Sequence, residues 1–256
     1  MTPAQIDAFF ATLQAANPYP QSELQYASVF ELLVAVLLSA QATDASVNKA
    51  TRGLFAAANT PRQMLDLGLE RLEGHIKTIG LYRAKARHLI ETCRILQERH
   101  GGQVPRTREE LQALPGVGRK TANVVLNAAF GEPAMAVDTH VFRVSNRTGL
   151  APGKTPLEVE TALLRRVPPA YLQHAHHWLI LLGRYVCLAR KPRCAQCAVA
   201  GCCDFSPKTP GDAAISASKK RRNVLDLIGA LEGKTEVRLT DEELEQSIGD
   251  RQAAAP

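Results

Sequence analysis

Leu114-Pro115-Gly116-Val117-Gly118-Arg119-Lys120-Thr121-Ala122 is the stretch on which the architecture turns. Two glycines bracket one apolar residue, and a helix-forming run opens behind them with two cations. Glycine tolerates the backbone of a tight turn, so the segment reads as a hairpin between a helix near 107–113 and another over 119–130. Such a turn exposes backbone N–H groups at the start of the second helix, where the dipole favours an anion. Gly116, Val117, Gly118 and Arg119 therefore form a candidate phosphate-binding turn, of the kind that fixes register on a nucleic-acid backbone without reading sequence. Lys120 stands in the first turn of that helix. The dipole opposes its positive charge and favours the neutral, nucleophilic amine.

Outward from the hairpin the chain reads as helix after helix. Val29-Phe30-Glu31-Leu32-Leu33-Val34-Ala35-Val36-Leu37-Leu38 is apolar nearly all round, the mark of a buried central helix. Thr60-Pro61-Arg62-Gln63 supplies an N-cap, a proline at the first helical position and a capping-box glutamine. Thr155-Pro156-Leu157-Glu158 repeats that grammar. Further helices are expected near 43–57, 82–99, 138–148 and 168–186. No sustained period-2 alternation and no Asn-Gly hairpin occurs, so the fold class is all-α.

The chain has 256 residues, 45% hydrophobic and 22% charged, enough for one large or two small lobes. No apolar run approaches the ~18 residues of a membrane span. The first residues lack the basic-then-apolar pattern of a signal peptide, which points to a cytoplasmic protein. Net charge is +6. Residues 207–256 carry eight Lys/Arg and nine Asp/Glu, leaving 23 against 16 for residues 1–206. A basic body suits nucleic acid. From about Pro207 the texture turns to Ser, Lys, Pro, Gly and Ala. The basic run Lys219-Lys220-Arg221-Arg222 and an acidic helix start at Thr240-Asp241-Glu242-Glu243 follow. Residues 207–256 read as a flexible C-terminal extension.

Two more motifs carry chemistry. Asp138 and His140, in Val137-Asp138-Thr139-His140-Val141, follow a Gly/Pro loop at a helix start. Asp138 reads as an N-cap, and equally as a carboxylate that could orient water or take a proton from a nucleophile. Cys187, Cys194 and Cys197 are followed by Cys203, four thiols within 17 residues. Six cysteines in a reducing compartment point to metal or redox chemistry rather than a disulfide framework. The spacing accepts zinc or an iron–sulfur cluster. Cys202 competes with Cys203 for fourth ligand, and Cys93 reads as a small core residue.

Together these motifs resemble the endonuclease III family, helix–hairpin–helix DNA glycosylases with AP lyase activity. The resemblance covers about residues 1–206 and takes in Leu38-Ser39-Ala40-Gln41-Ala42-Thr43-Asp44, Gly80-Leu81-Tyr82, the hairpin, Val137 to Val141 and the cysteines, in order. It implies two helical lobes: a six-helix barrel with the hairpin at 22–132, and an iron–sulfur lobe from 1–21 with 133–206, DNA lying in the cleft between them. It implies a monomer acting on damaged double-stranded DNA, and a 4Fe-4S cluster on Cys187, Cys194, Cys197 and Cys203. It also implies Lys120 as nucleophile and Asp138 as essential carboxylate. Leu81 becomes a wedge entering the duplex and Gln41 a plug for the vacated stack, although Leu81 alone reads as well as a buried connection residue. His140 is expected near the phosphate or sugar, with a structural role as the alternative.

A base inside a duplex hides its glycosidic bond, so the family's chemistry needs the nucleotide flipped out. An apolar wedge holds the kinked state, and the extruded sugar then meets the amine. The rival readings are an adenine mismatch glycosylase, a non-catalytic DNA-binding scaffold and a zinc protein. The first requires a glutamate in the early buried helix, and residues 32–40 contain no carboxylate.

Overall fold

The computed structural model describes residues 1–209. Within them the regular elements are eleven α-helices and two short 3-10 turns, as an all-α chain requires. The basic run at 219–222 and the acidic helix start at 240–243 lie outside the described residues. The described residues divide into two compact units, one joining Met1–Ser22 to residues 133–209, the other spanning Glu23–Glu132. α1 (Pro3–Ala16) opens the discontinuous unit under a full capping box: Thr2 Oγ1 accepts from the Gln5 N–H, and Gln5 Oε1 accepts from the Thr2 N–H at 2.7 Å.

The unit Glu23–Glu132 is built on α2 (Val29–Leu38), buried at every position from Phe30 to Leu38. Sequestering Leu32, Leu33 and Leu38 contributes about 1.5–3 kcal/mol each. α3 (Asp44–Ala57), α6 (Tyr82–His100) and α8 (Arg119–Phe130) pack on it. Between them lie α4 (Pro61–Leu67) and α5 (Leu69–Ile76), divided only by Gly68 at φ +80°, and the five-residue α7 (Arg108–Gln112) leads into the hairpin.

The Thr60 cap forms as its sequence implies, accepting from the Gln63 N–H. The expected box does not close. Gln63 Oε1 accepts from Asn59, one residue ahead of the cap. Thr155 repeats this: Glu158 Oε2 accepts from the Lys154 N–H at 2.7 Å. In both, the long side chain overreaches the cap and satisfies the next donor along.

The discontinuous unit continues with α9 (Thr139–Thr148), α10 (Pro156–Arg166) and α11 (Pro169–Tyr185). Its core gathers Ile6, Phe9, Phe10 and Leu13 of α1 with Val141, Val144, Val159, Leu163, Trp178 and Leu179. Phe10 stacks on Tyr171, and Trp178 Nε1 donates to the Asn17 carbonyl at 2.8 Å.

Gly183 sets how closely α9 and α11 approach. A Cβ there would lie 2.8 Å from His140 Cβ and 3.2 Å from its Cα. Because a backbone atom is among the obstacles, Gly183→Ala should force the helices apart at a cost of about 1–3 kcal/mol. Chemical denaturation should show a lower midpoint, and an unchanged midpoint would mean the seam yields freely.

Candidate functional site

The hairpin is held from below and open above. Gly116 sits at φ +78°, and a Cβ on it would meet His88 Nδ1 at 2.9 Å, so only glycine fits. The Val117 N–H closes the turn on the Leu114 carbonyl, and Thr92 Oγ1 of α6 donates to the Pro115 carbonyl at 3.3 Å. The Val117 side chain is buried, so it anchors the turn and leaves its backbone face for a ligand. Gly116, Gly118, Arg119 and Lys120 are exposed. Gly118 is the N-cap of α8 and offers no side-chain cap, which suits an anion at this helix start.

Two further residues of the same unit depart from ordinary backbone. Gln41 has φ 56° and Leu81 has φ 60° with ψ 26°, both left-handed without being glycine. Each costs on the order of 1–3 kcal/mol. Leu81 is 65% exposed, which sets aside the buried-connection reading and forgoes burial energy as well. A Cβ on Gly80 would lie 4.0 Å from the Gln41 carbonyl oxygen, so the two loops run side by side. Between them runs a contact that the sequence did not reveal: the buried Lys85 of α6 donates from Nζ to the carbonyls of Leu38 and Ala40. A lysine in an amphipathic helix normally reads as surface, and no sequence signal marks this one.

Asp138 and His140 belong to the other unit. Asp138 is the N-cap of α9: Oδ1 accepts from the Val141 N–H at 2.8 Å, leaving Oδ2 uncommitted among the described residues. His140 is half-buried, with Nδ1 3.2 Å from Arg143 Nη2 and its backbone against Gly183. Arg143 also donates to the Gly183 and Cys187 carbonyls, so His140 is part of the seam that ties α9 to the cysteine segment.

Cys187, Cys194, Cys197 and Cys203 line one cavity with Arg147, Val199, Pro192 and Phe205; Cys202 is not among the lining residues. The choice between Cys202 and Cys203, open from spacing, thus has a geometric preference. Among the described residues no three His, Cys, Asp or Glu side chains gather at single-ion spacing. The four thiols instead surround a space. Burial pushes the Cys197 thiol up to about 11, opposed by a bond from the Val199 N–H and reinforced by Cys187, Cys203 and Cys194. Burial likewise raises Cys203, with the Phe205 N–H and Lys208 opposing and Cys187 and Cys194 adding to the rise. Buried thiols held beside one another in one pocket fit a shared positive group, which would favour their thiolates instead. The Phe205 N–H lies 3.4 Å from Cys203 Sγ and Arg147 Nη1 lies 3.5 Å from Cys187 Sγ, the sulfur-directed donors such a group needs. Arg147 also donates to the Leu188 and Ala189 carbonyls, a bracing role that a lone helical arginine does not announce in sequence. Arg190, Lys191 and Arg193 are exposed on the same segment. Cys93, by contrast, is buried in the core, which pushes its thiol up to about 12 and makes it inert.

Residues 34–169 match the HhH-GPD superfamily base excision DNA repair protein family. Endonuclease III of Escherichia coli K12 is 60% identical over 196 residues, covering 77% of this chain and 93% of that protein. Endonuclease III of Haemophilus influenzae shows the same identity and coverage. Among solved structures, a trapped endonuclease III–DNA covalent intermediate, an estranged-adenine complex, aligns with a TM-score of 0.74 at 46% identity, over 80% of this chain and 96% of that one. The chain belongs to the endonuclease III family of the HhH-GPD superfamily, DNA glycosylases of base excision repair with AP lyase activity.

Proposed function

We propose that the chain, acting as a monomer, removes oxidised or ring-saturated pyrimidines from damaged double-stranded DNA and cleaves the strand through an imine on Lys120. The observation that carries this is Lys120 itself, an exposed amine in the first turn of α8 directly behind the hairpin. A relative's covalent intermediate with DNA supports it. Leu81 and Gln41 hold the duplex open, and the hairpin backbone with Arg119 grips the phosphates. The Lys120 amine attacks C1′; the glycosidic bond breaks and the base leaves with the electron pair, taking up a proton from water. Asp138 accepts the amine proton and offsets the cationic character at the sugar. The sugar ring opens to the imine, the C2′ proton is lost, and the C3′–O bond breaks with phosphate as leaving group. Reducing wild-type protein with borohydride on an abasic duplex should give a covalent adduct. Normal DNA binding with no adduct would leave only the scaffold reading.

Cys187, Cys194, Cys197 and Cys203 hold a 4Fe-4S cluster, which when bound supplies a structural cross-link that presents the Arg190–Arg193 loop to the DNA backbone. Cys203→Ser should purify with depleted iron and acid-labile sulfide, while Cys202→Ser keeps both and the brown colour. The reverse order would move the fourth ligand to Cys202, and zinc in place of iron would remove the cluster.

The adenine-mismatch reading is disfavoured by the early helix. Glu31, just ahead of residues 32–40, is buried and accepts from the Ala27 N–H at 2.6 Å, so it braces the start of α2.

A further inference from the structure

Lys85 is a buried charged group that the reaction does not use, only 6% exposed. A buried ammonium is costly unless its protons are met, and burial lowers its pKa from the ordinary lysine value. Its partners are specific. Nζ lies 2.8 Å from the Leu38 carbonyl and 2.5 Å from the Ala40 carbonyl, at the point where α2 ends and the Gln41 turn begins. The Ala42 N–H bonds back to the Ser39 carbonyl at 3.1 Å, which closes that turn around Ala40 and Gln41. The Ala40 carbonyl belongs to the peptide group that leads into Gln41. Fixing that plane restricts rotation about the Gln41 N–Cα bond, whose φ is the left-handed 56°.

The same residue reaches the second outlier through its backbone. The Lys85 N–H donates to the Leu81 carbonyl at 3.1 Å, the first bond of α6, and Leu81 is the left-handed N-cap of that helix with no side-chain cap. One lysine therefore joins both strained positions. Its main chain holds the turn that projects Leu81, and its side chain holds the turn that projects Gln41. The two turns also lie side by side: a Cβ on Gly80 would be in ordinary contact, at 4.0 Å, with the Gln41 carbonyl oxygen.

We propose that Lys85 is a positioning residue that clamps the Leu81 and Gln41 turns into one rigid duplex-opening element, formed before DNA arrives. This rests on the reading of Leu81 and Gln41 as wedge and plug. Lys85 touches neither the base nor the sugar; it acts by keeping two side chains in register with the gap they open. Removing the ammonium while keeping the length, as in Lys85→Met, strands two carbonyls and frees the Gln41 turn. Lys85→Arg keeps a buried donor.

The test uses a duplex carrying one dihydrouracil opposite 2-aminopurine, together with a single-stranded abasic oligonucleotide. In the duplex, 2-aminopurine fluorescence reports loss of stacking opposite the lesion, and single-turnover base removal reports the reaction. The single strand needs no opening, so borohydride trapping on it reports Lys120 alone. Lys85→Met should lower the fluorescence rise and slow base removal by on the order of 10–100-fold, with single-strand trapping within about twofold of wild type. Lys85→Arg should recover much of the duplex signal, and it carries the test if Lys85→Met does not fold. Unchanged fluorescence and rate in Lys85→Met, or an equal loss on duplex and single strand, would overturn the clamp. So would an Arg variant no better than Met. Gln41→Ala and Leu81→Ala separate the two levels: if neither alters the fluorescence, the wedge-and-plug reading fails. If both do and Lys85→Met does not, the clamp alone fails.

Discussion

Lys120→Gln should abolish borohydride trapping and strand cleavage altogether, and slow base removal by at least ~10³–10⁴-fold. The asymmetry follows from the chemistry. Without the amine there is no imine to acidify the C2′ proton, so β-elimination has no route, whereas Asp138 could still help water displace a base slowly. Glutamine preserves helix propensity in α8, and removing a cation from a helix start relieves about 0.3–1 kcal/mol of unfavourable dipole interaction. The variant should therefore melt no lower than wild type. Were Lys120 only a phosphate contact like Arg119, the result would differ in kind: affinity would fall, the salt dependence of binding would flatten by about one unit, and turnover of bound DNA would survive. Trapping, single-turnover rates and a salt titration together distinguish the two. Retained trapping in Lys120→Gln would place the nucleophile elsewhere.

The second large effect separates the two roles that Asp138 can play. Asp138 caps α9 through Oδ1, and asparagine caps a helix about as well as aspartate. Asp138→Asn should thus fold with nearly wild-type stability while slowing base removal by on the order of 10²–10⁴-fold, the usual worth of a positioned acid or base. Asp138→Ala should show the same kinetic loss and in addition forfeit ~0.5–2 kcal/mol of stability with the cap. Wild-type base-removal rates in Asp138→Asn, with only Asp138→Ala losing stability, would reduce Asp138 to a cap.

Much of the fold was legible because its strongest signals are local. The apolar run of α2 has no solvent-tolerant face, Thr60-Pro61 and Thr155-Pro156 start helices as written, and Gly116 is required by a backbone angle. What escaped was set by contacts distant in sequence. The glutamine and glutamate of the expected capping boxes differ from the pattern by one donor, which spacing does not resolve. Leu81 was ambiguous because exposure of a leucine depends on what surrounds it, and the strain at Leu81 and Gln41 has no signature in side-chain type. Lys85 and Arg147 were invisible for the same reason: their partners are backbone carbonyls 40 or more positions away. The cysteine spacing was plain but left Cys202 and Cys203 in competition, and the shared cavity sides with the resemblance in favouring Cys203.

The interrupted unit that begins at Met1 and resumes at Pro133 has a consequence for synthesis on the ribosome. α1 emerges first, carrying Ile6, Phe9, Phe10 and Leu13 toward partners that include Trp178 and Leu179. At roughly 5–20 residues per second, those partners follow Leu13 after about 10–30 s. In that interval Glu23–Glu132 is translated in full and can close on its own core, while the aromatic face of α1 waits in water. That apolar face therefore stays exposed longest during synthesis, and α11, the last α-helix among the described residues, is the one that covers it.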